Sequence, residues 1–251
     1  MPKLFYSKPL GKNCNPNLGQ VVKAFVDRAC ALFALVLLSP VLLLCALINL
    51  ILNGRPVFYH SDRQVKTDRS IRVPKFRSMF RDAKSEKYQL EARFMRDGFL
   101  DIPIDCEVYT PFGRVMERLQ IVEVPQFLCV LKGEMSIIGN RPLPASNLKL
   151  LKVFPGWEKR FDSPAGITGI SQIVGKLNME PAQRLYLEGL YSEIYQNGKI
   201  LKCDFLIAVY TLKVIFMAKG IRLRDAEQIL FSCLPHARQE TLASPRDGKQ
   251  M

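Results

Sequence analysis

The run "ACALFALVLLSPVLLLCALINLIL", residues 29–52, decides the fold because it has no charged residue over 24 positions. A run of this length can cross the hydrocarbon core of a bilayer as one helix. A helix that is apolar all round would be unusual in a soluble protein, and the run starts too far from the N-terminus for a secretory signal. The sequence therefore predicts insertion into a membrane.

Ser39 and Pro40 lie at the middle of this run and predict a kink there. Proline removes a backbone donor and clashes with the preceding turn, and the Ser39 hydroxyl can bond a carbonyl that the kink leaves free. Both flanks are basic, and Lys and Arg favour the cytoplasmic side. A re-entrant helix that is broken at Ser-Pro would place both basic flanks on the cytoplasmic side. The alternative is a helix that spans the membrane and tolerates the proline. The basic residues of the two flanks are Lys23, Arg28, Arg55, Arg63, Lys66, Arg69, Arg72 and Lys75.

The composition excludes some classes of protein and leaves others open. The formal net charge is +13, and a surface of that charge attracts phosphate groups on nucleotides, nucleic acids or anionic lipids. A generally basic soluble protein is the plainer alternative. The chain has 7 Cys, with no CxxC pair, and 2 His, which argues against a structural zinc site and against a disulfide framework.

The rest of the chain reads as helices and short extended pieces, with a middle rich in glycine and proline. No long alternating run supports a large sheet. The predicted fold class is mainly α with short strands, in a monotopic membrane protein with a small loop-rich cytoplasmic domain. We expect an interfacial lead-in over residues 1–28, the re-entrant helix over 29–52, the cytoplasmic domain over 53–234 and a mobile polar tail over 235–251.

Two stretches have the composition of a phosphate site. "PKFRSMFRD" contains Lys75 and Arg77, and extended backbone would point both side chains to one side. "KGEMSIIGNRP" contributes Lys132 and Arg141. Arginine makes forked hydrogen bonds to phosphate, and glycine lets the backbone approach a ligand closely. The alternative for either stretch is a solvated basic face or contact with lipid headgroups.

The stretch "QIVEVPQ" holds one carboxylate, Glu123, between Val122 and Val124. An acid in apolar company immediately before a helix is a candidate for catalysis or metal binding. The alternative is a charge at a helix N-terminus, which the helix dipole favours.

Taken in order, the stretches resemble one family. Residues 23–217 are similar to bacterial sugar transferases of the small monotopic phosphoglycosyl transferase family. The resemblance lies in "KAFVDRACALFALVLLSPVLLL", "GRPVFYHSDRQ", "KFRSMFRDA", "TPFGRVMERL", "VEVPQFLCVLKGEMSIIGNRPLP", "RFDSPAGITGISQIVG" and "CDFLIAVYTLKVI".

This resemblance implies an enzyme at the cytoplasmic face of the inner membrane, with a re-entrant helix that turns at Ser-Pro. It implies transfer of a phosphosugar from a nucleotide diphosphate sugar to a polyprenyl phosphate, with release of UMP. The product would begin an exopolysaccharide, a lipopolysaccharide O-antigen or a glycoprotein glycan. By family position, Lys75, Arg77, Lys132 and Arg141 would bind substrate, while Glu123, the catalytic candidate, and Asp82 would hold Mg²⁺.

The chain departs from the family pattern at the acidic pair. The pattern reads Leu-Asp-Glu-Leu-Pro, and its Asp takes the phosphosugar covalently, but Val122 occupies that position here. Asn140 stands where proline is usual. Three interpretations stay open. In two of them the chain is an enzyme: either Glu123 attacks as a nucleophile, or polyprenyl phosphate attacks directly while Glu123 holds magnesium. In the third the chain is a non-catalytic membrane-anchored scaffold.

We expect an active enzyme, because the basic residues, Glu123 and the glycine-containing loops are all retained. The expected partners are a nucleotide diphosphate sugar, polyprenyl phosphate and anionic membrane lipids. Nucleic acid is not an expected partner, because the sequence offers no recognition helix and no clustered basic and aromatic surface.

Overall fold

The computed structural model describes residues 16–96, 99–175, 179–197, 199–217 and 219–235. Helices dominate these residues and the strands are short, which confirms the predicted fold class at that level. Most of the predicted lead-in and nearly all of the predicted mobile tail lie outside the described residues. The boundaries predicted between the domains stay predictions.

Helix α1, Leu18–Asn53, contains the whole apolar run. It begins with a capping box, in which the Asn17 side chain accepts a hydrogen bond from Gln20 N and the Gln20 side chain accepts one from Asn17 N. The helix is long and apolar enough to cross a membrane, by length and composition. α1 is therefore compatible with the predicted membrane anchor.

α1 continues through Pro40 without interruption, although the sequence predicts a break there. Pro40 has no N–H to donate to the carbonyl of Val36, four residues earlier. The Ser39 hydroxyl donates to that carbonyl oxygen at 2.8 Å instead, as the sequence predicts. The carbonyl is satisfied and the helix continues, so the re-entrant course stays a prediction.

Short elements joined by loops make up the remaining described chain. The strands pair as β1 (Phe58–Gln64) with β2 (Ser70–Phe76) and β3 (Met95–Arg96) with β4 (Phe99–Leu100), both antiparallel, and β5 (Ser136–Ile138) with β6 (Gly166–Thr168), parallel. The further α-helices are α2 (Leu90–Phe94), α3 (Pro111–Arg118), α4 (Phe127–Leu131), α5 (Ala145–Leu151), α6 (Ile170–Val174), α7 (Pro181–Asn197), α8 (Ile200–Met217) and α9 (Leu223–Phe231). Short 3₁₀ helices cover Glu86–Tyr88, Ile121–Gln126 and Trp157–Phe161.

The largest apolar core lies between helices α6, α7, α8 and α9. Leu187 and Ile194 of α7 meet Ile207 of α8 and Leu230 of α9 there, and all four are fully buried. A second cluster joins Ala31 of α1 to the β1–β2 hairpin and to α4. Burial of this apolar area, at about 25 cal/mol per Å², stabilises the platform that carries the site.

Both ends of α1 are hydrogen-bonded to this globular part. Near the N-terminal end, Lys23 Nζ donates to Asp204 Oδ2 of α8 at 2.5 Å and to Ile138 O of β5 at 2.9 Å. Near the C-terminal end, Asn49 Nδ2 donates to Arg77 O at 3.0 Å. Between these anchors most apolar side chains are exposed, among them Leu32, Phe33, Val36, Leu37, Val41, Leu43, Leu44 and Leu47.

Candidate functional site

Glu123 is held between two cations. Its Oε1 accepts from Lys75 Nζ at 2.5 Å and from Arg141 Nη2 at 2.8 Å, and Arg141 Nη1 reaches Oε2 at 3.4 Å. All three side chains are 20% exposed. The structure therefore brings together three of the residues that the sequence singles out, in a cluster that solvent can still reach.

Local structure explains why these side chains meet. Along β2, Ile71 and Val73 are buried and Arg72 is exposed. Lys75 follows Val73 by two residues and therefore shares its inner face, because the side-chain period of a strand is two. Arg141 follows β5 at the point where Gly139 and Gly166 pack backbone against backbone, so closely that a Cβ on Gly139 would collide with Pro164 O. Glycine thereby brings the Arg141 loop onto β6.

The two cations keep Glu123 ionised. Burial alone would raise the pKa of Glu123, but the charges of Arg141 and Lys75 and their hydrogen bonds outweigh it and hold the pKa well below its usual range. Burial lowers the pKa of Lys75, which the charge of Glu123 partly opposes. The charge of Glu123 raises the pKa of Arg141. The resting state is thus one carboxylate shared by two cations.

Two further donors lie beside this cluster that the sequence reasoning does not assign to it. Arg63 of β1 and Gln126 line the same narrow space as Lys75 and Arg141. Burial and the charge of Arg141 lower the pKa of Arg63. Gln126 is only 3% exposed, and its amide nitrogen has no hydrogen-bond partner among the described residues.

Sequence signals for both residues exist. Gln126 follows Glu123 by three residues, which is one turn of the 3₁₀ helix that contains them, so both side chains fall on one face. Arg63 pairs with Ile71 in the β1–β2 register, so it lies across from the strand that carries Lys75. Neither signal is specific without the fold.

A cavity of about 770 Å³ opens next to the cluster. Glu123 and Arg141 form part of its polar wall, together with Thr168 and Thr211. The apolar walls come from the start of α4, from β5, β6 and α6, and from one face of α8. Their apolar lining residues include Phe127, Ile137, Ile138, Ile167, Ile173, Ala208, Leu212, Val214 and Ile215.

Arg77 lies elsewhere. It is 7% exposed, and its Nη2 donates to Asn53 O at 2.5 Å and to Gly54 O at 2.8 Å, the carbonyls at the C-terminal end of α1. Asn49 of α1 in turn donates to Arg77 O. This reciprocal contact attaches α1 to the end of β2. The predicted role of Arg77 in phosphate binding is not supported by this position, because its guanidinium points to α1 and not to Glu123.

The other predicted site residues do not join the cluster either. Asp82 and Lys132 are both exposed, Asp82 in the turn after β2 and Lys132 at the end of α4. No group of three or more His, Cys, Asp and Glu side chains suitable for a metal occurs in the part of the chain that the structure describes. Magnesium prefers oxygen ligands, yet both oxygens of Glu123 already accept from cations. The donor set therefore does not fit Mg²⁺, and the predicted magnesium site stays a prediction that the geometry does not favour.

Val122, at the family's nucleophile position, is 2% exposed. It packs with Cys45 of α1, Phe76 and Met116 in an apolar cluster. Val122 thus stabilises the contact between α1 and the globular part, whereas its neighbour Glu123 faces Lys75 and Arg141.

Asn140, where the family usually has proline, is a buried connector. Its Nδ2 lies 2.9 Å from Arg160 O, 3.0 Å from Glu188 O and 3.0 Å from Ser192 Oγ. Proline could make none of these bonds. The substitution therefore ties the loop that carries Arg141 to α7.

The described chain combines a basic cluster, a largely apolar cavity beside it and a long apolar helix that is compatible with a membrane anchor. Comparison with known proteins makes the class specific. The model of the bacterial sugar transferase family matches residues 18–218. The chain belongs to the bacterial sugar transferase family.

Named relatives agree with this assignment. The chain is 31% identical over 203 residues to a UDP-N-acetylgalactosamine-undecaprenyl-phosphate N-acetylgalactosaminephosphotransferase of Aeromonas hydrophila, covering 80% of this chain and 45% of the relative. It is 32% identical over 171 residues to a UDP-glucose:undecaprenyl-phosphate glucose-1-phosphate transferase of Escherichia coli strain K12, covering 68% of this chain and 33% of the relative. It is 27% identical to the exopolysaccharide production protein ExoY of Sinorhizobium fredii, covering 81% of this chain and 89% of the relative. The chain thus spans less than half of the first two relatives.

Proposed function

We propose that the protein transfers a phosphosugar from a nucleotide diphosphate sugar to a polyprenyl phosphate and releases UMP, as the first membrane step of bacterial polysaccharide assembly. The observation that carries the proposal is the cluster of Lys75, Arg141 and Arg63 at the edge of a mostly apolar cavity. Cations suit the diphosphate of the donor and the phosphate of the acceptor. Two relatives are named for transfers to undecaprenyl phosphate, which supports this choice of substrates.

The proposed step is a displacement at phosphorus. An oxygen of the polyprenyl phosphate attacks the phosphorus that carries the sugar. As that P–O bond forms, the P–O bond to the uridine-bearing phosphate breaks, and UMP leaves with the bridging oxygen and its electron pair. The products are a polyprenyl diphosphate sugar and UMP. Donors already in place around the transferring group stabilise the charge that develops on the leaving phosphate.

Among the open mechanisms, we favour direct attack by the acceptor. Glu123 Oε1 accepts two hydrogen bonds and Oε2 a third, longer one. Its lone pairs are committed to cations, which weakens it as a nucleophile. Val122 has no nucleophilic atom. Glu123 then acts as a positioning residue that aims Lys75 and Arg141.

A UMP-release assay tests the function. The purified protein in nanodiscs would be given a panel of UDP-sugars with and without polyprenyl phosphate. We expect UMP release with one sugar, dependent on the acceptor. Stoichiometric release without acceptor, with a phosphosugar left on the protein, would instead support attack by Glu123. No release with any sugar would contradict the proposal.

A non-catalytic membrane-anchored scaffold is the second candidate. The observation that favours it is the burial of Val122, since the position that is nucleophilic in the family belongs to an apolar cluster here. A scaffold would bind the nucleotide without turnover. The same assay, combined with a binding measurement, separates the two candidates.

We further propose that both ends of α1 lie at the cytoplasmic face of the inner membrane, in a re-entrant arrangement. Lys23 and Asn49 bond the two ends of the helix to one globular part, which supports a common side. Exposed basic residues nearby, such as Arg55, Arg72 and Arg81, would face anionic lipid headgroups.

Cysteine accessibility tests this topology. Pro16→Cys and Arg55→Cys, placed singly in a background without native cysteines, lie on opposite sides of α1 in the chain, and both positions are exposed. An impermeant thiol reagent should label both in inside-out vesicles and neither in intact cells. Labelling of one position from outside the cell would show that the helix spans the membrane.

A further inference from the structure

We propose that Arg63, Lys75, Gln126 and Arg141 bind the diphosphate of a sugar nucleotide through their own donor groups, without a divalent cation. In this proposal Glu123 is not a metal ligand but the counter-ion that holds the donors in place until the nucleotide arrives. The inference rests on the proposed function and describes how that site binds the sugar nucleotide.

The balance of charge at the site favours an anion. Arg63, Lys75 and Arg141 supply three positive charges around Glu123. The carboxylate of Glu117 is close enough to raise the pKa of Arg141, but its Oε1 accepts from the Ser78 hydroxyl at 2.7 Å. The three cations therefore outnumber the carboxylates that act on them. A magnesium ion would be repelled by such a site, whereas a diphosphate would be attracted.

Gln126 favours a phosphate ligand for a reason that does not depend on charge. Its amide nitrogen is buried and has no acceptor within the described chain, and it lines the space that Arg63, Lys75 and Arg141 also line. A buried donor without an acceptor costs free energy in the ligand-free fold. A phosphate oxygen in that space supplies the missing acceptor, and a metal ion does not.

The narrow space can open for a ligand. It has almost no free volume while Lys75 and Arg141 converge on Glu123. Lys75 has a long flexible side chain and can turn from Glu123 to a phosphate oxygen. Arg141 can keep one nitrogen on Glu123 while the other bonds the ligand, because its guanidinium has several donors. A diphosphate therefore replaces Glu123 as an acceptor.

Binding of UDP provides the test, because it does not require turnover. Isothermal titration of the wild type in nanodiscs with UDP should give dissociation constants that agree within about threefold in excess EDTA and in excess MgCl₂. Arg63→Gln should weaken UDP binding at least about tenfold, since it removes a charge-assisted bond. The matched control is Arg72→Gln on the partner strand, because Arg72 is 80% exposed and should leave UDP affinity unchanged.

Two more variants separate ligand contacts from structural roles. Gln126→Met should weaken UDP binding about threefold to tenfold without lowering the melting temperature, because it removes a buried donor that has no acceptor in the fold. Glu123→Gln should bind UDP in EDTA at least as tightly as the wild type, because it removes a competing negative charge.

The outcomes are distinguishable. UDP binding that requires MgCl₂, or that Glu123→Gln abolishes, overturns the inference and leaves the proposed function standing. Equal effects of Arg63→Gln and Arg72→Gln also overturn it. No UDP binding in either solution overturns both the inference and the proposed function. Metal-independent binding without UMP release for any sugar supports the inference and favours the scaffold over the enzyme.

Discussion

Two carboxylates in this protein are each held between two cations, and they differ in what surrounds them. Glu123 lies between Lys75 and Arg141 and is 20% exposed. Glu188 of α7 lies between Arg160 and Arg184 and is fully buried. Each cluster pairs one carboxylate with two cations, so we expect the two to differ in function through their access to solvent and their remaining hydrogen-bond partners.

The Glu188 cluster is closed and satisfied. Arg160 Nε donates to Oε2 at 2.7 Å, Arg184 Nε to Oε1 at 3.0 Å and Ser171 Oγ to Oε1 at 3.1 Å. Burial would raise the pKa of Glu188, but the two arginine charges lower it overall. Arg160 Nη2 also donates to Arg141 O at 2.8 Å. The closed cluster therefore supports the loop from which the open cluster takes Arg141.

The open cluster has more donors than acceptors. Arg63 and Gln126 stand beside it, and the cavity begins at Glu123 and Arg141. An ionic cluster whose donors all have acceptors stabilises the fold. A cluster with spare donors can also bind an anionic ligand. This difference predicts opposite responses to the same substitution in the two places.

Glu188→Gln should have the largest effect, on stability. Breaking a buried, hydrogen-bonded ion pair costs about 3–5 kcal/mol, because it leaves charges buried without compensation. Denaturant unfolding of the purified protein measures it, and turnover should fall only because the fold is lost. Glu158→Gln is the control, since Glu158 is exposed. A Glu188→Gln protein as stable as this control would remove the distinction between the two clusters.

Glu123→Gln should have the reverse balance: a smaller change in stability than Glu188→Gln and a large loss of turnover. The three side chains of this cluster are 20% exposed, so the remaining cations stay partly solvated, and we expect a loss of stability below the about 3–5 kcal/mol of the fully buried cluster. Turnover should fall at least about tenfold, because Lys75 and Arg141 lose the group that aims them, and a tenfold loss corresponds to about 1.4 kcal/mol. A UMP-release assay beside the UDP titration measures the split between turnover and binding. Full turnover would show that Glu123 has no part in the reaction.

Arg77→Ala separates two residues that the sequence treats alike. Arg77 bonds carbonyls at the end of α1 and Arg141 bonds Glu123. Loss of hydrogen bonds from a charged group costs about 1.5–3 kcal/mol, so Arg77→Ala should lower stability by that amount and leave UDP affinity within about twofold. Arg141→Ala should instead weaken UDP binding at least about tenfold. Denaturant unfolding and UDP titration of both variants test this prediction. If Arg77→Ala weakened UDP binding and Arg141→Ala did not, the phosphate site would lie at Arg77.

These cases show what the sequence could and could not predict. The apolar run and the mainly helical class follow from composition and periodicity. The family motifs single out Glu123, Lys75 and Arg141 as site candidates, but the ion pairs among them are visible only in the structure. The direction of Arg77 does not follow from the sequence either, because β2 ends at Phe76 and the strand alternation stops before Arg77. Asn140 gains its role from contacts with distant parts of the chain, Arg160 and α7, which no local pattern encodes. Gln126 gains its role from the space that it shares with Arg63 and Arg141, and its local signal is not specific without the fold.

The smallest expected effect is a change in acid sensitivity. The folded-state pKa values of Glu123 and Glu188 both lie below the ordinary value of 4.5. A lowered pKa means that the ionised carboxylate stabilises the fold at pH values above 4.5, and that this contribution is lost as the pH falls towards the folded-state pKa. Each such group can contribute a slope of at most about 1.4 kcal/mol per pH unit to the free energy of unfolding.

Glu123→Gln should therefore be less sensitive to acid than the wild type, because one carboxylate with a lowered pKa is gone. Denaturant unfolding at a series of pH values below about 5 measures the slope, and Glu158→Gln again serves as the control. In Glu123→Gln the free energy of unfolding still depends on pH, because Glu188 remains. Glu188 is fully buried between Arg160 and Arg184, and protonation would break its ion pairs. If the free energy of unfolding depends on pH as strongly in Glu123→Gln as in the wild type, the ion pairs of Glu123 do not contribute to folding. The cluster would then serve ligand binding alone.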